Sequence, residues 1–282
     1  MNQSQVKRKI VVGIQFTVAL LCAVILLLPL CWMVMQSLQP DGNAIYKLPP
    51  VFPDPVSFGA YGVVFREWNI LRLLFNTLLI MAGVLGLTLF SSLLVGYGFA
   101  RLRAKGKQLM FSILLSTMML PWAVTLVPSY AIWSKLGFLG TYWPLILPSI
   151  GGGAFNIFLV RMFIMNIPRA LDEAAVIDGC SRMRVLVSVL LPQLGPVVAT
   201  IVVFTFNGVW NDYVGPYTYL WGYVDKYTLS IQLAISFKSD RGVMDWPKFM
   251  AASTMISIPV ILVIFFAQNA FTRGIVTTGL KD

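Results

Sequence analysis

An all-α membrane protein with about six spanning helices is the fold class predicted here, and three observations predict it. Of the 282 residues, 58% are hydrophobic and only 11% charged, where a soluble domain carries about 25% charged residues. The apolar residues come in runs close to the roughly 20 that a spanning helix needs. The basic residues flank those runs, so the net charge of +10 reads as a topology signal rather than a nucleic-acid footprint.

Taken in order, Lys7, Arg8 and Lys9 precede the first predicted span, residues 10–35. The run is too long for the apolar core of a signal peptide and no small-x-small cleavage site follows, so it is expected to be retained. A polar, proline-containing loop follows. The second span, 75–100, ends at the basic connector Arg101 to Lys107. The third is expected at 109–132, with Pro121 and Pro128 inside it, and the fourth at 143–163, interrupted by Pro148 and Gly151 to Gly153. The fifth covers 194–210 and the sixth 249–271.

With a cytoplasmic start, Arg101, Arg103, Lys105, Lys107, Arg161, Arg169, Arg182, Arg184, Arg273 and Lys281 all fall on the cytoplasmic side. The outer loop at 211–247 balances its bases with Asp212, Asp225, Asp240 and Asp245, and both termini are expected in the cytoplasm. That loop, with Tyr213, Tyr217, Tyr219, Trp221, Tyr223, Tyr227 and Trp246, is either a protein-contact surface that uses Asp240 and Arg241 or an interfacial aromatic belt.

Between the fourth and fifth spans, residues 164–193 carry Arg169, Asp172, Glu173, Asp178, Arg182 and Arg184, a density of charge that cannot sit in hydrocarbon. Asn166 and Pro168 predict a helix start, with acids in the first turn where the helix dipole favours them. Leu171, Ala174, Ala175 and Asp178 then share one narrow face that a partner could approach closely. Gly179 predicts a stop, Ser181 the cap of a second helix, and Pro192 that helix's end. Taken alone, Glu173 reads as a solvated first-turn acid that stabilises its own helix, and Gly179 as a helix C-cap.

Absences narrow the chemistry. There is no histidine, and Cys22, Cys31 and Cys180 have no metal or disulfide spacing. Gly106-Lys107 is followed by Gln108, so no P-loop is present. Away from their ends the spans hold no acid or base, which removes the ion relay that coupled carriers use. What remains inside is neutral and polar: Gln15, Asn76, Asn156, Asn207 and Gln268, with Tyr97 and Trp122. A pathway lined this way suits an uncharged, hydroxyl-rich solute, and interhelical hydrogen bonding is the alternative for each residue.

Glu173-Ala174-Ala175, then Asp178-Gly179, then Leu191-Pro192 resembles the EAA loop of permease subunits in binding-protein-dependent ABC importers. Asn76-Thr77, Trp210-Asn211-Asp212, Asp245-Trp246 and the tail Thr278 to Asp282 extend the similarity to the carbohydrate branch, toward the six-span subunit of the maltose type. Cys180 stands where that family often has alanine, and the chain ends in Asp282 where the family has glycine.

The resemblance implies a type I importer permease fold as a single domain, in a bacterial or archaeal cytoplasmic membrane. It implies no catalytic residue and no bound cofactor, ATP being used by partners. Those partners are a second homologous permease, two ATPase subunits and an extracytoplasmic solute-binding protein. Glu173, Ala174, Ala175, Asp178 and Gly179 would couple to the ATPases, and Asn76, Trp122, Asn156, Asn207 and Asn211 are the candidates for the pathway. The alternatives are a related importer permease for another solute, or a stand-alone carrier or channel.

The topology is testable by thiol labelling after replacement of Cys22, Cys31 and Cys180. Single cysteines at Gln108 and Ser181 are expected to be shielded from an impermeant reagent in intact cells, and one at Ser239 to react. Labelling at position 181 from outside would overturn this topology.

Overall fold

The computed structural model describes residues 3–40, 52–236 and 245–278. Ser239, Asp240, Arg241 and the tail Gly279 to Asp282 lie outside the described residues, as do the side chains of Lys7, Arg8, Lys9, Gln268 and Arg273. No strand occurs among the described residues. Among the same residues, five helices are long and apolar enough to cross a membrane, and a bent pair makes a sixth span if it is counted as one.

The chain groups into two compact units, Met1–Asn69 with Leu233–Ile258, and Ile70–Gln232 with Pro259–Asp282. In the first, α1 (Gln3–Ser37) is exposed at every position from Val11 to Leu30, the surface expected of a helix solvated by lipid. Pro29 lies inside α1 without ending it. At its end, the Ser37 hydroxyl is 2.7 Å from that of Tyr61 on α2 (Gly59–Glu67), and Ser57 N–H donates to the Leu38 carbonyl at 2.8 Å.

The second unit begins with α3 (Ile70–Arg101), longer at its start than the predicted span. The third predicted span is not continuous. It forms α4 (Lys107–Ser116), a 3₁₀ turn (Thr117–Met119) and α5 (Trp122–Lys135), bent by 96° between the two halves. Pro121 causes the bend, because its ring forces Leu120 out of the helical region, to φ −78 and ψ 116. Pro128 is absorbed within α5.

The fourth span is also built in pieces, from α6 (Trp143–Ile146), a 3₁₀ segment (Leu147–Gly151) and α7 (Ala154–Asn166). It continues to Asn166, which therefore closes α7 instead of starting the next helix. That next helix is α8 (Ala170–Ile177), whose N-cap position holds Arg169 with no side-chain cap.

Beyond it, α9 (Arg182–Arg184), a π-helical stretch (Val185–Leu190), a 3₁₀ turn (Leu191–Leu194) and α10 (Gly195–Asn211) run on as one span from Arg182 to Asn211. Pro192 therefore does not end the helix as its sequence context predicts. Proline has no N–H to return to a carbonyl four residues back, and here the wide π turns and the 3₁₀ turn have already shifted that ladder. α11 (Val214–Leu220), α12 (Leu229–Ile235) and α13 (Trp246–Thr278) complete the chain.

The core of the second unit lies where α3, α7, α8 and the Arg182–Asn211 run meet. Val160, Ile164, Leu190, Leu194, Val197 and Ile201 are fully enclosed there, with Tyr97, Ala100 and Ala175 beside them. Gly96 sets the spacing, since a Cβ on it would come within 2.6 Å of Val160 Cγ1. Small residues are what let two membrane helices approach this closely. Gly96→Val is expected to cost about 1–3 kcal/mol through overpacking. Thermal melting in detergent should show a clear drop for it and little change for Gly98→Val, whose added Cβ meets nothing within 4 Å. Equal melting of the two variants would contradict this packing.

Candidate functional site

The helix predicted to dock a partner is held down by its own chain. Gly179 takes φ +83, and two bonds close the end of α8: Gly179 N–H to Val176 O at 3.0 Å and Cys180 N–H to Ala175 O at 2.9 Å. This is a Schellman end, which needs a left-handed residue at that position. A side chain at Gly179 would meet nothing within 4 Å, so the glycine is required by the backbone and not by crowding. Ser181 caps the following helix by accepting from Arg184 N–H at 3.3 Å.

The two acids of the first turn of α8 and the one at its C-cap divide their work. Glu173 and Asp178 are exposed, whereas Asp172 turns inward to Arg101 at the end of α3. The side chains of Arg101 and Asp172 are only 6% and 18% exposed, and Arg101 Nε meets Asp172 Oδ2 as an ion pair. The Arg101 guanidinium also donates to Ile167 O at 2.8 Å, and the Tyr97 hydroxyl donates to Arg182 O at 3.1 Å. Both ends of the 167–182 loop are thereby tied to one helix.

The sequence reading assigned Arg101 only to topology and Tyr97 to the span interior, and missed this joint. Its one signal was an arginine closing an apolar span opposite a loop with a first-turn acid.

The small-residue face is also split. Ala175 is 8% exposed and belongs to the core, so its side chain is not available for a partner's close approach. The 3.6-residue turn sets it one step round from Ala174. Ala174 stays exposed, together with Leu171, Val176 and, at 85%, Ile177. Met183 and Val187 are exposed on the following run.

A second candidate region is an open cleft of about 910 Å³. It brings together Trp122 from α5 with Asn207 and Asn211 from α10, three of the five predicted pathway residues. Asn211 Nδ2 donates to Asn207 O at 3.0 Å, which fixes one amide against the next turn. Ser129, Asp212 and Tyr219 also line the cleft and were not predicted there. Asp212 follows Asn211 directly, and that adjacency was its signal. Burial pushes its carboxyl above the usual carboxylate range, opposed by the backbone N–H groups of Gly215 and Val214.

The other two predicted pathway residues do not line this cleft. Asn76 is 5% exposed and donates to Asp225 O at 3.0 Å and Tyr227 O at 2.9 Å, tying the start of α3 to the segment after α11. Beside it, the Thr77 hydroxyl accepts from Leu229 N–H at 3.1 Å. Asn156, in the first turn of α7, donates to Gly152 O at 3.2 Å, just ahead of that helix.

The comparisons with known proteins agree with this architecture. The chain is 31% identical over 263 residues to an osmoprotective compounds uptake permease protein of Synechocystis, covering 90% of this chain and 87% of that one. It is 29% identical over 286 residues to a galactooligosaccharides transport system permease protein of Bacillus subtilis, covering 98% of each. In fold it matches a chain of a bacterial ABC transporter that imports the acidic polysaccharide alginate. That match has a TM-score of 0.80 and 23% identity over 96% of this chain and 99% of the other. The family described as binding-protein-dependent transport system inner membrane component matches residues 92–277, from the middle of α3 into α13. This chain therefore belongs to that family, as a multi-pass inner-membrane subunit of an ABC transporter and not an enzyme.

Proposed function

We propose that this chain is one of two permease subunits of an importer for a neutral oligosaccharide or related hydroxylated solute. One of two ATPase subunits binds the exposed face of α8 from the cytoplasm, the other serves the second permease, an external binding protein delivers the solute, and both termini are cytoplasmic. The chain binds no cofactor, and ATP acts only on its partners.

The observation that carries this reading is the mounting of α8. One side is locked into the core through Ala175 and into α3 through Asp172, while Leu171, Ala174 and Ile177 are free on the other. A helix mounted this way moves as a rigid body with the spans, as transmission of a partner's closure requires. Within this reading Glu173, exposed on the same helix, is the polar anchor and Gly179 keeps the turn tight. The amides of Asn207 and Asn211 with Trp122 line the solute's path, which suits hydroxyl groups better than charge. The carbohydrate names of several relatives support the same solute class.

Coupling through α8 predicts a specific pair of outcomes. Gly179→Val imposes a left-handed strain of roughly 1–2 kcal/mol on a β-branched residue. Gly106→Val imposes the same strain at φ +75, also with nothing within 4 Å of its Cβ, but in the connector before α4. Both should insert in the membrane. Uptake by the assembled transporter should be lost or sharply reduced for Gly179→Val, milder for Glu173→Lys, and retained for Gly106→Val. Wild-type uptake by Gly179→Val with ATPases still bound would remove α8 from the coupling path.

Dependence on partners gives a separate check. In liposomes the chain alone should show neither ATP hydrolysis nor proton-driven uptake, and concentrative uptake without partners would favour a stand-alone carrier.

A further inference from the structure

On the side of α8 toward α3 lies a cleft of about 410 Å³, of whose lining the proposed transport cycle assigns only Glu173. Arg101, Arg103, Arg169 and Arg182 line it, against the carboxylates of Asp172 and Glu173. Arg101 and Asp172 are ion-paired with each other at the buried end of the cleft, with Asp172 Oδ1 left without a hydrogen bond. Three exposed guanidinium groups then face one carboxylate, and among the described residues no acid is ion-paired to Arg103, Arg169 or Arg182. Cations confined together in this way repel. An anion that accepts forked hydrogen bonds from two of them relieves that repulsion, and guanidinium matches phosphate geometry well.

Depth and lining narrow the anion. Tyr97 and Arg101 occupy the final turns of a membrane span, so the cleft opens at the boundary between hydrocarbon and headgroups. Leu102, Val176 and Val185 supply an apolar wall beside the arginines. Glu173 at the same site disfavours a doubly charged phosphate monoester and leaves room for a singly charged diester.

We propose that this cleft binds the phosphodiester headgroup of an anionic phospholipid. Arg103, Arg169 and Arg182 hold the phosphate, and the glycerol end lies against Leu102 and Val176. A bound lipid would brace the coupling helix against the end of α3.

The test counts lipid retained by the purified full-length chain, using native mass spectrometry after incubation with phosphatidylglycerol or phosphatidylcholine. Phosphatidylglycerol is expected to be retained preferentially. Arg103→Gln and Arg169→Gln should each weaken that retention about fivefold, the effect of one basic group near an anionic surface. Lys135→Gln, at the far end of α5, should leave it unchanged. Arg103 is exposed in the connector and outside the core, and gel filtration with circular dichroism confirms that each variant is folded.

Equal retention of the two lipids, wild-type retention by both arginine variants, or an equal loss in Lys135→Gln would overturn the proposal. Displacement of phosphatidylglycerol by an equal concentration of inorganic phosphate would make this a site for free phosphate instead. Unchanged lipid retention by Arg103→Gln with loss of co-purifying ATPase subunits would make the cleft a protein contact.

Discussion

The buried contact between Arg101 and Asp172 is the joint on which the placement of α8 and the 167–182 loop depends. It closes a membrane span with a charge and answers that charge from a helix 71 positions further on. Neither group would be stable alone at so low an exposure, since breaking such a pair costs about 3–5 kcal/mol. The pair also decides the orientation of α8. With Asp172 turned in, Ala175 follows it into the core and Glu173 is left outside. The glycine turn at Gly179 then returns the chain so that Arg182 meets Tyr97 on the same helix. The loop is a bracket fixed at both ends to one span.

Backbone hydrogen bonding governs the spans themselves. In hydrocarbon each unpaired N–H or C=O is costly, and breaks in helices are tolerated where protein or an aqueous cavity takes up the freed groups. The break at Leu120-Pro121 fits that rule, because Trp122, just beyond it, lines the large cleft. The mixed π and 3₁₀ turns of Val185–Leu194 keep a continuous helix across Pro192. A continuous run from Arg182 to Asn211 connects the 167–182 loop directly to the amides of that cleft. Motion imposed at one end therefore has a stiff path to the other.

The cleft chemistry fits a transporter that moves a solute without reacting it. Its amides and hydroxyls offer both donors and acceptors, and Trp122 offers a flat apolar surface. Asp212 is its one lining acid, and it is partly desolvated and held by two backbone N–H groups. A carboxyl so placed is a strong acceptor for a hydroxyl group.

Much was determined by the sequence alone, because the strongest constraints on a membrane chain are local. Hydrocarbon excludes charge, so runs of apolar residues and flanking arginines mark the spans without tertiary information. The turn at Gly179 and the cap at Ser181 were legible for the same reason, each satisfying its own neighbouring backbone groups. Only the tertiary structure decided which side of a helix faces what. Asn76 and Asn207 look alike in sequence, yet one is buried against carbonyls from residues 225 and 227 and the other lines a cleft. Ala174 and Ala175 are adjacent and chemically identical, and α8's rotation sends one outward and one into the core. That rotation is set by Arg101, which lies on another helix, and no local rule connects it to Asp172.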